Sequence, residues 1–499
     1  MRLIYGILIL WGLFAASIFT VLVSEFGFGD ASSRYYLLPW CVATGLVIAA
    51  PSVYLFYKGR FDLFHPLVFA AWGYFFPGFV IGGLAVAAGF SQPYFLAFVQ
   101  DEHYNLPLTF VYIMLGYAGL TLGFSIPFLS RFGAWLGSWL PKWEIADREL
   151  PIPALLLLAL GLVNTILAFG MGLLGFQKTE TIGAYDGIVF LLSLFLMEAI
   201  FLLWLYVFRA KQHGFTQTLI IGILLATVLI KSAFQGNRGS LIQMLILAAF
   251  AFGYSGRKLT TKHYVGGAVL ITVALVIGMI YGTTFRSIKQ SQDQVGLSEY
   301  AGVVTETFDR LADQDIGTIL SNGFGALAER IDAVSSLAVV VSNYEALAPY
   351  EEVWGINNNI YVDTVTFFIP RAIWTDKPIS IEPSKYADLY FNYSENSFTM
   401  TPMGDLLRNF GPWGVPIGMI LLGMLIRVMY AAFIENREFS YWRATVFFML
   451  LTSINYEGVY SLIVPMLFKI GLTAFLGMAI VRFFAGTARL SSRLVTSRG

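Results

Sequence analysis

FFIPRAIWTDKP, residues 367–378, decides how this chain is divided between lipid and water. Five large apolar side chains make it as oily as a membrane segment, yet Pro370, Arg371, Asp376, Lys377 and Pro378 interrupt it. A helix crossing the bilayer would be broken by that pattern, because each proline disfavours helical backbone at the residue before it, here Ile369 and Lys377. The stretch reads as extended, proline-pinned chain outside the spans. Its rings then belong at the interface, where one edge is apolar and the other wet.

Working outward, the whole chain is far too apolar for water. Of 499 residues, 57% are hydrophobic and 12% charged, with a mean hydropathy of +0.70, whereas a soluble domain carries roughly 25% charged residues. Taking about 20 apolar residues per crossing, spans are expected near 3–23, 35–57, 64–89, 106–130, 153–175, 187–208, 218–235, 240–255, 264–284, 413–434, 442–457 and 460–484. That is an all-α polytopic membrane protein of about twelve transmembrane helices. The first apolar core runs about 21 residues, longer than the 7 to 15 of a cleavable signal, and is expected to stay as a span. GxxxG spacings at Gly78/Gly82, Gly119/Gly123 and Gly278/Gly282 point to close helix packing.

Loop charge orients the bundle. About 17 lysines and arginines fall on one side, while the short loops of the other hold only Arg34, Lys178 and Arg238, which places both termini in the cytoplasm by the positive-inside rule. The chain then divides into spans one to nine (1–284), a large extracytoplasmic loop (285–412), and spans ten to twelve with a cytoplasmic tail (413–499). A loop of that length is normally functional. Within it, GLSEYAGVVTETFDRLADQD and FGALAERIDAVSSLAVVVSNYEAL have apolar residues at three- and four-residue spacing. Two amphipathic helices are expected, lying on the membrane surface or packed on each other as a cap.

Six cations cluster on or near the outer side: Lys231, Arg238, Arg286, Arg371, Lys377 and Arg408. Arginine offers a planar fork to phosphate oxygens and lysine a point charge, so converging cations suit a pyrophosphate. In GNRGS the glycines at 236 and 239 bracket Arg238 in a short turn, where free N–H groups of the next helix also favour an anion. Each cation taken singly is equally explained by a neighbouring acid or a lipid headgroup. Asp405 and Glu457 are the acids that suit a general base; Asp405 stands three residues before Arg408, on one helical face if GDLLRNFG opens the tenth helix. Asp363, Asp376 and Glu382 flank the opening stretch, and for every one of these acids a salt bridge is the plainer role. Glu198 and Lys469 fall near mid-span, where the simplest expectation is that they pair with each other or with a polar neighbour such as Asn164, the alternative being a proton or ion pathway.

Other chemistries lack their residues. The four histidines are scattered and none lies in the outer loop, Cys41 is the only cysteine, and no metal-ligand spacing occurs. No GxxxxGK[ST] phosphate loop is present, and a net charge of +0 gives no reason to expect nucleic acid.

Three segments together resemble one family: FQGNRGSLIQ (234–243), FFIPRAIWTDKP (367–378) and TPMGDLLRNFGPWGVPIGMILLGML (401–425). They look like the oligosaccharide repeat-unit polymerases of bacterial O-antigen and exopolysaccharide pathways, the Wzy-type polymerases. The resemblance implies a GT-C-like glycosyltransferase of the bacterial cytoplasmic membrane, working on its outer face without a cofactor. Its substrate would be a polyprenyl-pyrophosphate-linked oligosaccharide among membrane lipids, with a chain-length regulator and a flippase as partners. Rival expectations are an O-antigen ligase, which would place a histidine in the outer loop, and a lipid-linked oligosaccharide flippase, whose charges would line the helix interior.

Overall fold

Among the described residues, nine stretches are helical, apolar and long enough to cross a bilayer: Tyr35–Tyr57, Pro66–Ala87, Glu102–Ser125, Pro151–Gly170, Asp186–Arg209, Phe215–Gln235, Thr261–Lys289, Gly414–Phe433 and Tyr460–Gly486. They come from a computed structural model that describes residues 34–62, 64–89, 93–177, 185–210, 214–236, 239–257, 260–291, 293–313, 317, 331–369, 373–374, 377, 383–393 and 400–496. About 80% of the structure is helical and no strand occurs among the described residues. The protein is an all-α polytopic membrane protein.

Of the twelve expected spans, the first, 3–23, lies outside the described residues, and three others differ. Helices Ser240–Tyr254 and Tyr441–Ser453 have 15 and 13 residues, short of the roughly 20 that a crossing needs. The fourth span stops at Ser125 instead of reaching 130, because Ile126 is extended (ψ 115) ahead of Pro127, which opens a separate helix, Pro127–Trp139.

The chain forms two compact units, neither of which coincides with the expected loop domain. The first comprises Met1–Leu140, Leu327–Asn436 and Leu451–Leu467; the second comprises Pro141–Ala326, Arg437–Leu450 and Phe468–Gly499. The segment 285–412 is therefore shared, its helix Leu297–Asp313 in the second unit and everything from 331 onward in the first.

In the second unit the expected amphipathic helix is present at Leu297–Asp313. It packs its apolar edge on Thr261–Lys289, where Tyr300, Tyr281 and Phe285 form a buried cluster with Val303, Val304 and Leu311. Gly236 ends the preceding Phe215–Gln235 helix at φ +58, and a Cβ there would run into the Phe285 ring, so glycine is required twice over.

The first unit holds the larger departure. Of the second expected amphipathic helix, 324–330 lie outside the described residues; helix Val334–Val353 has every residue from Val334 to Val341 buried. The preceding chain docks at mid-depth on Pro66–Ala87: the Ala333 N–H donates to the Gly78 carbonyl at 3.2 Å, and a Cβ on Gly82 would stand 2.8 Å from the Ile331 carbonyl oxygen. Ten residues later Asn343 donates to the Phe98 carbonyl at 2.8 Å and accepts from Gln100 at 3.0 Å, in the connection between two spans. Those ten residues rise about 15 Å, half the thickness of a bilayer's hydrocarbon core. The segment is re-entrant rather than a surface cap.

Helix Thr401–Phe410 is sunk equally deep. Met403 packs where a Cβ on Gly116, past the middle of Glu102–Ser125, would be 2.7 Å from its sulfur. Tyr456, in the connection before the last span, packs its ring steeply tilted against Tyr74 and edge-on against Phe75, each with ring centroids 5.4 Å apart, halfway along Pro66–Ala87. The receiving stretch Ala71–Ile81 is π-helical around Pro77, the wider winding that recurs at functional sites. Of the expected close packings, Gly119 and Gly123 fit against the backbone of Pro416 and Ile420, while Gly78 and Gly82 receive the re-entrant chain.

Candidate functional site

Helix Thr401–Phe410 carries the site. It is a separate short helix before the tenth expected span, closed by Gly411 at φ +68. Pro402 fits its first turn, and Thr401 holds a left-handed backbone (φ 62) that a β-branched residue rarely adopts. That geometry aims the Thr401 N–H at the Glu457 carbonyl, 3.2 Å away, and lets the Thr401 hydroxyl accept from the Gly404 N–H at 3.3 Å.

As the three-residue spacing implies, Asp405 and Arg408 meet: Arg408 Nη2 donates to Asp405 Oδ1 at 3.0 Å with both side chains wholly buried. Arg408 Nη1 donates to Glu351 Oε2 at 2.9 Å and to the Ile356 carbonyl at 2.7 Å, and Nη2 also reaches Asn359 Oδ1. Asp405 accepts further from Asn359 Nδ2 at 3.1 Å, Asn409 Nδ2 at 3.1 Å and the Ser461 N–H at 2.9 Å. Glu351 accepts from the Tyr390 hydroxyl at 2.8 Å. One guanidinium thus ties together the helices Val334–Val353, Asn359–Thr366 and Thr401–Phe410 and the start of the last span.

Two carboxylates around one cation leave an excess negative charge in a dry place. Burial pushes the Glu351 carboxyl above its usual range, more than Arg408 and Tyr390 pull it down. For Arg408 burial opposes the charged form, but Asp405 and then Glu351 outweigh it and hold the guanidinium above its usual range. Burial likewise raises the phenols of Tyr386 and Tyr390, whose rings stack 4.7 Å apart beside this network.

Asp405, expected as a base, accepts from three donors on Oδ1 and from the Ser461 N–H on Oδ2. Glu457 is half-buried, and its backbone carbonyl accepts from the Thr401 N–H of the site helix. Of the six expected pyrophosphate cations, Arg408 and Lys377 belong to the first unit, Lys231 and Arg286 to the second, and Arg238 and Arg371 lie outside the described residues. Lys377 donates to the carbonyls of Ile369 at 3.0 Å and Phe367 at 3.4 Å. Lys231 donates to Gln235 at 3.0 Å, and Arg286 stacks over the Phe176 ring at 4.9 Å.

Half of FFIPRAIWTDKP, with Asp376 and the neighbouring Glu382, also lies outside the described residues, but Phe368, Ile373 and Trp374 are exposed as interfacial side chains should be. Asp363 is buried. Glu198 departs from expectation: Asn164 donates to the Leu160 carbonyl, and neither Glu198 carboxylate oxygen has a hydrogen-bond partner, so it pairs with neither Asn164 nor Lys469.

Sequence reasoning missed Glu351, Asn359 and Tyr390. The run INNNI (356–360) was the available signal, since three asparagines in an otherwise oily chain need buried partners. No group of His, Cys, Asp and Glu suited to a metal occurs among the described residues. No known family, curated protein or solved structure matches the chain.

Proposed function

We propose that the protein is a glycosyltransferase that polymerises polyprenyl-pyrophosphate-linked oligosaccharides on the outer face of a bacterial cytoplasmic membrane. The observation that carries this reading is the Arg408–Glu351–Asp405 network, taken to mid-depth among the spans by chain that is itself no span. Ionisable groups at that depth are costly and mark functional sites by default. A substrate with a lipid tail and a charged head needs this meeting of hydrocarbon and charge. The cation-poor short loops on the same side and the polymerase-like motifs at 234–243, 367–378 and 401–425 support the topology and chemistry.

In this reading an acceptor sugar hydroxyl attacks the anomeric carbon of the donor glycan. The bond to pyrophosphate breaks, and the leaving group departs with the electron pair. Glu351 takes the hydroxyl proton, which loosens its hold on Arg408 Nη1. Arg408 stabilises the developing negative charge, with Lys377 and Arg371 as the sequence's other candidate cations. Asp405, Asn359 and Asn409 orient the guanidinium. The test is to incubate purified protein in lipid with a polyprenyl-pyrophosphate repeat unit and resolve the products. A ladder is expected from the wild type and its loss, with unchanged thermal midpoint, from Arg371→Ala; a normal ladder from that variant refutes the assignment.

One observation favours a second reading. The charges line the helix interior, as expected of a lipid-linked oligosaccharide flippase. Movement of the labelled lipid across proteoliposomes without chain extension would select it.

A further inference from the structure

Glu198 stands at the middle of Asp186–Arg209 with no solvent exposure, and neither of its carboxylate oxygens has a partner. What it does meet is Gly477, on the helix Ile463–Thr496: a Cβ added there would stand on the carboxyl group itself. The second unit therefore keeps an acid and, opposite it, the one residue type whose missing side chain makes room for it.

Among the described residues, no charge is placed to neutralise this group. The facing helices Pro151–Gly170 and Ser240–Tyr254 carry no charged residue. The polar side chains of the first are engaged, Asn164 with the Leu160 carbonyl and Thr165 with the Gly161 carbonyl. Of the other charges on neighbouring helices, Asp186 and Arg209 end Glu198's own span, and Lys231 is bound to Gln235. Arg443 lies in the first turn of Tyr441–Ser453. Lys469 is eight residues before Gly477 and Arg482 five after it, about 12 and 8 Å along the helix. An ionised carboxylate in so dry a place, without donors, is far costlier than the neutral acid.

We propose that Glu198 is a proton-binding site, neutral in this state, which releases its proton to water only when Ile463–Thr496 shifts at Gly477. The step is Glu198–COOH giving Glu198–COO⁻ and a solvated proton, with no other reactant.

Infrared difference spectroscopy of the full-length protein against Glu198→Gln tests it at neutral pH. The wild type should show a protonated carboxyl band that the variant lacks; a carboxylate band lost in its place overturns the proposal. Dicyclohexylcarbodiimide, which adds to neutral carboxylic acids in apolar surroundings, should label Glu198 once Gly477→Ala displaces it, and labelling absent from that variant speaks against the gate. The variants also give a thermal readout. Gly477→Ala should lower the midpoint in the wild-type background and leave it unchanged in Glu198→Ala, whereas an equal loss in both means that the notch at Gly477 serves something else.

Discussion

Arg408 has its own unfolding signature, because its two acidic neighbours are buried with it. Arg408→Ala leaves Glu351 and Asp405 desolvated and uncompensated, a loss of about 3–5 kcal/mol, to be read as a fall in the detergent-solubilised midpoint. Adding Glu351→Gln and Asp405→Asn should recover part of it. Asp332 behaves oppositely. It begins the re-entrant helix, its Oδ1 accepting from the Ser335 N–H at 2.9 Å while Oδ2 has no partner. Burial raises its carboxyl from 3.8 to about 6. A raised acid favours the fold below its unfolded value and loses that contribution as pH rises through the folded one, a swing of about 3 kcal/mol. Asp332→Asn is therefore expected to be more stable than wild type at pH 8, with the gain gone below about pH 4; a stability difference independent of pH would contradict this.

At the scale of elements, hydropathy located the spans because a crossing needs a long apolar run. The re-entrant helix escaped the same rule: its fully buried part, Val334 to Val341, is too short to register as a span and too apolar for a surface helix. Its docking rests on glycines in Pro66–Ala87. Gly82→Ala places a methyl 2.8 Å from the Ile331 carbonyl, a backbone atom that cannot rotate away, and should cost about 1–3 kcal/mol by overpacking. Gly170→Ala, where nothing lies within 4 Å, is the control and should leave the midpoint unchanged. The Asp405–Arg408 pair was legible as a helical spacing. Glu351 was not, since it stands 57 residues from Arg408 and only the folded chain brings it there.

For the molecule as a whole, the decisive feature is a segment that is itself no span, enters among the spans and carries a charged network to mid-depth. The same arrangement explains why the expected surface cations are not all displayed to solvent: Arg408 is held inside by acids that arrive with the segment. Cys41 is the only cysteine, so a Cys41→Ala background gives a clean platform for single cysteines. With a membrane-impermeant maleimide added to intact cells or sealed vesicles, cysteines at Val334, Ala338 and Val341 should stay unlabelled, while one at Val353, 83% exposed, should react rapidly. Uniform labelling from 334 to 353 would place the whole helix in water and contradict the account.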